Sequence, residues 1–428
     1  MKVEYPSQFL WGTATSAFQI EGRIDNDMTQ WEAVGGFCRD GYDPRAGDAV
    51  DHWRRWESDF RLLKDLGVNS YRFSIEWSRI EPVPGQFNRS AIAQYRQMIE
   101  TLLAMGITPM ITLLHFSHPS WFHMLSPWHK PESVVAFSRF VREISATLLR
   151  GVPLVVTLNE PVVWALAAYG EGRFPPGQCD LGRLMAALHN LLLAHRAAYD
   201  IIKGEHPDCQ VGIAKNFIVF RRDRPRSFAD QRIKRLLKYF YNIMLIESFQ
   251  TNRLAIKFPL VLSYDRPVSL DDRIDFWGIN YYYRLHVRFR LNLQRPFDLL
   301  FVPRSGEGLS DLGWEIYPRG LRRVAKWLQF TNKPLYITEN GVAAENDTIR
   351  ISFLKKHIRV VDHLVKNGYP IRGYYHWSLL DNYEWLVGYQ AQFGLYAVDR
   401  KDGLQRSAKP SAAFFREAVL ARLADFSG

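Results

Sequence analysis

Short apolar or β-branched runs alternate with longer amphipathic stretches along the chain, the pattern of βα units around a parallel sheet. Eight such runs stand out, at 9–14, 70–75, 108–113, 154–158, 211–217, 275–280, 335–338 and 371–377. Between them DFRLLKDLG, YRQMIETLLAMG and FSRFVREISATLL place apolar residues at helical spacing, and the first two end on Gly67 and Gly106, as a helix C-cap would. The repeating unit reads helix, glycine, strand. No Ser/Gly-rich linker, charge block or short-period repeat divides the chain, so one domain over residues 1–428 is expected. An open doubly wound sheet is the competing arrangement, but no GxGxxG follows an early strand to open a dinucleotide site. The expected fold class is α/β, a single (β/α)8 TIM barrel.

Composition sharpens this picture in three places. At 428 residues, 47% hydrophobic and 23% charged, the chain can bury a large core, and α/β barrels often reach such lengths as one unit. Cys38, Cys179 and Cys209 are too few and too scattered for a disulfide framework or a zinc site, which fits a reducing compartment. The N-terminus, MKVEYPSQFLWG, has Glu4 and Pro6 where a signal peptide would be apolar, and no uninterrupted apolar run is long enough to span a bilayer. A cytoplasmic location is expected, and no sequence feature specifies an oligomeric state.

The net charge of +11 concentrates in 221–238 and 284–295. Charge alone would suggest nucleic acid, yet no helix-turn-helix, zinc or RNA-recognition signature accompanies it, so no specific nucleic-acid partner is expected. Weak contact with anionic surfaces is the remaining implication. In the second stretch RLHVRFRLNL alternates polar and apolar residues over 284–293, which predicts a strand or hairpin, basic on one face and apolar on the other. Packed on the barrel rim it would keep its arginines in water. With PFDLLF following, it would alternatively border the leaving-group side of a substrate site for amphipathic molecules or touch an anionic surface.

In a barrel of this kind the active site lies at the C-terminal ends of the strands, so polar residues that end apolar runs are the candidates. Strand 1 leads to Gln19 and Glu21, strand 2 contains Arg72, and strand 3 ends at His115. Strand 4 ends at Asn159 and Glu160, strand 6 at Asn280 and Tyr282, and strand 7 at Glu339 and Asn340, while strand 8 leads through Trp377 to Glu384 and Trp385. Any one glutamate would be an ordinary loop residue. Strands 4 and 7, however, lie three apart in a ring of eight, so Glu160 and Glu339 face each other across the mouth. Glycoside hydrolysis needs such a pair: an acid to protonate the leaving oxygen and a carboxylate to meet the oxocarbenium-like carbon. Indole rings such as Trp377 and Trp385 suit the apolar face of a pyranose, and Gln19, His115 and Asn159 suit its hydroxyls.

FLWGTATSAFQIEG, NSYRFSIEWSRI, TLNEP, GINYY, YITENG and HWSLLDNYEW, in that order, resemble the signature segments of glycoside hydrolase family 1, the β-glucosidase and β-galactosidase family. The resemblance implies a retaining β-glycosidase acting on terminal non-reducing β-D-glucosyl residues, with β-D-galactosyl or β-D-fucosyl residues as further substrates. By position it implies Glu160 as acid/base, Glu339 as nucleophile, and Arg72 and Tyr282 as the groups that hold that nucleophile. It implies Gln19, His115, Asn159, Glu384 and Trp385 as sugar ligands, Trp377 as a stacking platform, and Asn280 and Phe393 as further members of the sugar wall. No metal and no organic cofactor is implied; the partners are small β-glycosides or short oligosaccharides.

Two departures qualify the substrate. HFSHPSWF stands where most of the family has His-Trp-Asp-Leu-Pro, so Phe116 replaces a tryptophan and an indole donor is lost. Glu384 is present where a 6-phospho-β-glycosidase usually lacks a glutamate, and a carboxylate there would repel a phosphate. A non-catalytic glycan-binding relative is the other alternative, and such relatives typically lose one of the two glutamates kept here.

Overall fold

A computed structural model describes residues 5–424 except 7, 40, 259–261, 291–297 and 303–307. Eight parallel strands follow the order of the chain: β1 (Leu10–Ala14), β2 (Ser70–Ser74), β3 (Thr108–Leu114), β4 (Leu154–Asn159), β5 (Gln210–Arg222), β6 (Phe276–Arg290), β7 (Leu335–Asn340) and β8 (Ile371–Trp377). Each pairs with the next, and β8 pairs with β1 from Leu10↔Gly373 to Ala14↔Trp377, which closes the ring. The expected closed barrel is present.

Period two sorts the strand residues into two layers. Met110, Leu154, Val156, Ala214, Phe276 and Tyr375 form one buried cluster inside the barrel. Their chain neighbours Ile111, Val155, Ile213, Trp277 and Tyr374 belong to the larger cluster between strands and helices. The helices arrive where the apolar spacing put them, at His52–Asp65, Arg89–Ala104 and Glu132–Leu148. Gly67 and Gly106 end the first two with φ of +66° and +71°, a region an L side chain rarely adopts. Ile107 N–H then reaches back to Leu102 O at 2.9 Å and Gly106 N–H to Leu103 O at 3.0 Å, satisfying carbonyls that the helix end would otherwise strand.

Two strands run further than their apolar runs. β5 and β6 stay paired past the barrel mouth, to Arg222↔Val287, and β6 then pairs antiparallel with a rim strand, Asp298–Val302. The 284–293 pattern is therefore the outer half of β6, with 291–293 outside the described residues. Arg290 is exposed. Arg284 and Arg288 are ion-paired rather than left free in water as expected: Arg284 Nε donates to Glu315 at 2.7 Å, His286 Nε2 lies 3.2 Å from the same carboxylate, and Arg288 Nε donates to Asp223 at 2.6 Å. The sequence could not reveal this, because Glu315 and Asp223 are distant in the chain. Among the described residues no helix is long and apolar enough to cross a membrane.

Candidate active site

The ladder breaks register near the mouth on both strands that carry a central glutamate: between Val156 and Asn159 on β4, and between Ile337 and Asn340 on β7. Such irregularities re-aim side chains at strand ends. Glu160 follows β4 with φ of +46°, uncommon for a non-glycine residue, and its N–H is pinned to Ala214 O at 2.7 Å. A short helix, Pro161–Ala165, starts at once behind it.

Glu160 Oε1 accepts the side-chain N–H of Asn280 at 2.8 Å and of Asn216 at 3.0 Å. Burial, seconded by the charge of Glu339, pushes its pKa up to about 7. Glu339 sits among donors of a different kind. Arg72 Nη1 reaches Oε1 at 2.6 Å, and the Tyr282 hydroxyl donates to Oε2 at 2.5 Å. Burial, and after it the nearby Glu339 carboxylate, hold the Tyr282 phenol well above its ordinary pKa, so it stays a donor.

Arg72 is wholly buried and spends its fork on four acceptors: Glu339, Thr338 O at 3.1 Å, Thr112 Oγ1 at 3.1 Å and Asn159 Oδ1 at 2.7 Å. That last bond settles which way the Asn159 amide points. Its Nδ2 then donates to His115 Nε2 at 3.1 Å, which leaves the His115 proton on Nδ1. Nδ1 has no partner among the described residues and is free to donate to a ligand. Burial first, then Arg72, keeps His115 neutral.

Around this pair stands a wall of the expected residues. Trp377 Nε1 donates to Glu384 Oε1 at 3.0 Å, and His115 stacks on the Trp377 ring at 5.9 Å. Burial pushes Glu384 up to about 8 despite the indole donor, with Glu339 adding to the rise. Gln19 lies against Glu384 but also serves the loop that carries it, donating to Tyr383 O at 2.7 Å and Asn382 Oδ1 at 3.1 Å. Phe393 lies 6.0 Å from Tyr282, edge to face. Trp385 stacks on Phe18 at 5.5 Å and touches Phe116 at 5.2 Å, so the residue that replaces the family tryptophan closes an aromatic patch.

The twelve residues to which the resemblance gives roles fall within this one neighbourhood, whereas the other two strand-end candidates are tied up elsewhere: Glu21 accepts from Arg79 at 2.7 Å and Tyr95 at 2.6 Å, and Asn340 bonds Tyr281 O and the Tyr374 hydroxyl. Four participants escaped notice. Asn216 and Tyr241 act on Glu160 from β5 and the turn behind it, and Thr338 bonds Asn280 at 2.6 Å. Trp314 packs on Tyr283 at 4.4 Å and near Phe393 at 6.2 Å. Inward phase from Ala214 would have found Asn216, and the same phase from Tyr336 would have found Thr338 at the end of the 335–338 run; Tyr241 and Trp314 lie outside any strand end that the pattern marks.

One further cluster has metal-ligand chemistry. Asp27 accepts from His118 Nδ1 at 2.9 Å and His123 Nε2 at 2.8 Å. Trp128 Nε1 donates to His118 Nε2 at 2.7 Å, which forces the His118 proton onto Nδ1, the atom a metal would need. The trio is a proton-filled hydrogen-bond network.

A family profile described as glycosyl hydrolase family 1 matches residues 1–422. The sequence is 34% identical over 440 aligned residues to "Beta-glucosidase A" of Thermotoga maritima, covering 97% of this chain and 98% of that one. Among solved structures, a β-glycosidase from Pyrococcus horikoshii superposes with a TM-score of 0.89 at 34% identity, over 99% of this chain and 96% of the other. The T. maritima β-glucosidase in complex with deoxynojirimycin gives 0.87 at 32% identity, over 98% and 99%.

Proposed function

The chain belongs to glycosyl hydrolase family 1, and from that premise we propose that it is a retaining β-glycosidase that removes terminal non-reducing β-D-glucosyl residues, with β-D-galactosyl and β-D-fucosyl residues as secondary substrates. The observation that carries the proposal is the division of labour between two carboxyls in one mouth: Glu160 pushed up to about 7, Glu339 held by Arg72 and Tyr282. Environments that separate two acids are what assign an acid and a nucleophile.

In the first step a Glu339 oxygen bonds to the anomeric carbon from the α face while the bond to the leaving oxygen breaks, and that oxygen takes the Glu160 proton. Glu339 is now a neutral ester, so the charge that helped hold Glu160 up is gone and its acidity rises. In the second step Glu160 takes a proton from water, the water oxygen bonds to the carbon from the β face, and the ester bond breaks. Two inversions give net retention, which corresponds to carboxyls about 5 Å apart.

Gln19, His115, Asn159, Asn280 and Glu384 are the proposed hydroxyl ligands, with Trp377, Trp385 and Phe393 as the ring-facing wall. The 6-phospho alternative is disfavoured by Glu384, whose buried carboxyl, pushed up to about 8, offers a phosphate no cation to hold it. Both glutamates stand in a built site, which speaks against a binding-only relative. The free thiols of Cys38, Cys179 and Cys209 support a cytoplasmic location. The direct test is the anomeric NMR signal during hydrolysis of an aryl β-glucoside. β-Glucose forming first, ahead of mutarotation, is the expected result; α-glucose forming first would exclude the double displacement.

A further inference from the structure

Both amide donors to Glu160 land on the same oxygen. Asn280 and Asn216 each point Nδ2 at Oε1, at 2.8 and 3.0 Å. With two N–H groups directed at it, Oε1 has no room for a hydrogen of its own, so a protonated Glu160 carries its proton on Oε2. The direction of each amide is set by its carbonyl. Asn280 Oδ1 accepts the Thr338 hydroxyl at 2.6 Å, and Asn216 Oδ1 accepts the Tyr241 hydroxyl at 2.8 Å. Flipping either amide would set a carbonyl against Oε1.

Tyr241 is itself fastened. It lies in a π-helical turn, Lys238–Ile243, that is stitched to β5 by Asn242, whose side chain donates to Ile218 O at 2.9 Å and accepts from Ile218 N at 3.0 Å. Lys215 completes the attachment: its ammonium donates to Tyr241 O at 2.6 Å and to Asn216 O at 2.8 Å while lying over the rings of Phe217 and Tyr241. Burying a lysine on two carbonyls is costly, and burial pushes this one down to about 7. A turn that merely had to pack would take an apolar side chain at 215. Single π-helical turns of this kind recur at functional sites.

We propose that Asn216, oriented by Tyr241 and Lys215, is a positioning residue that keeps Glu160 Oε1 an acceptor, so that the transferable proton sits on Oε2 and faces the leaving oxygen. The proposal rests on the reading of Glu160 as acid/base. In the step it serves, the Oε2–H bond breaks as the leaving oxygen gains the proton and the electron pair of its bond to the anomeric carbon.

The test compares kcat/KM for phenyl and 2,4-dinitrophenyl β-glucosides across pH, in Asn216→Ala, Tyr241→Phe and Glu160→Ala. A phenolate leaving group needs the proton; a dinitrophenolate does not. Asn216→Ala is expected to lose about tenfold or more on the phenyl glucoside and far less on the dinitrophenyl glucoside, a fraction of the 10²–10⁴ that general acid catalysis supplies. Its basic limb should move to higher pH, since an N–H that favours the Glu160 anion has gone. Tyr241→Phe, which removes one oxygen, should move both readouts the same way by less, and it carries the test if Asn216→Ala fails to fold. Equal losses on both substrates with an unmoved limb would overturn the proposal. Glu160→Ala separates the two levels: if it shows no leaving-group split, the acid/base reading itself fails, whereas a split there without one in the other variants overturns the positioning role alone.

Discussion

Glu160, Glu339 and Glu384 share one barrel mouth, and of the three it is Glu339 that the Arg72 guanidinium bonds directly. Three carboxylates in that space would repel one another, which is why burial and mutual charge raise two of them while Glu339 takes the guanidinium. This has a consequence for stability. Glu384 rises from an ordinary 4.5 to about 8, so its protonated form is favoured in the folded state. The associated stability is full below 4.5 and is lost progressively as pH rises to about 8. Glu384→Gln does not titrate and escapes that loss, so it should melt above the native protein at pH 8.5, with the gap shrinking toward pH 4.5; a gap independent of pH would count against this environment for Glu384. Such environments were not legible in the sequence. The strand-end position of Glu160 and Glu339 was, because a polar residue after an apolar run is a local signal. Asn216 was hidden inside the run of β5, and Thr338 and Tyr241 matter only through what they touch.

At the scale of elements, the alternation of apolar runs and amphipathic stretches located all eight strands, and glycine after a helix located two helix ends. What it missed was extent. The β5 and β6 runs read as ordinary barrel strands, yet both continue past the mouth because each finds the other as a partner there. Pairing between segments more than sixty positions apart leaves no local trace. Caps, by contrast, are local. Asn88 accepts from Ser90 N and Ala91 N, both at 3.1 Å, at the start of Arg89–Ala104. Asn88→Ala should cost about 1 kcal/mol in chemical denaturation with kcat/KM unaltered, since this helix start lies outside the site; an activity loss without a stability loss would contradict that separation.

For the whole molecule, closure through the β8–β1 and β6–β7 pairings makes each strand depend on two neighbours. A single domain over 1–428 remains a proposal, and it predicts one cooperative transition, with near-ultraviolet dichroism and glycosidase activity lost at the same denaturant concentration. Two separated transitions would refute it. The basic excess that composition singled out is partly absorbed by Glu315, Asp223 and Asp230, which bond Arg284, Arg288 and Arg224. The central claim is that Glu339 attacks from one face of the sugar and Glu160 delivers and removes protons on the other. It is tested most directly by the configuration of the sugar azides that Glu339→Gly and Glu160→Gly form from 2,4-dinitrophenyl β-glucoside and azide. Azide in the space left by Glu339 should give the α-glucosyl azide, and azide in the space left by Glu160, attacking the ester on Glu339, should give the β-glucosyl azide. The opposite pairing, or the same anomer from both variants, would contradict the assignment.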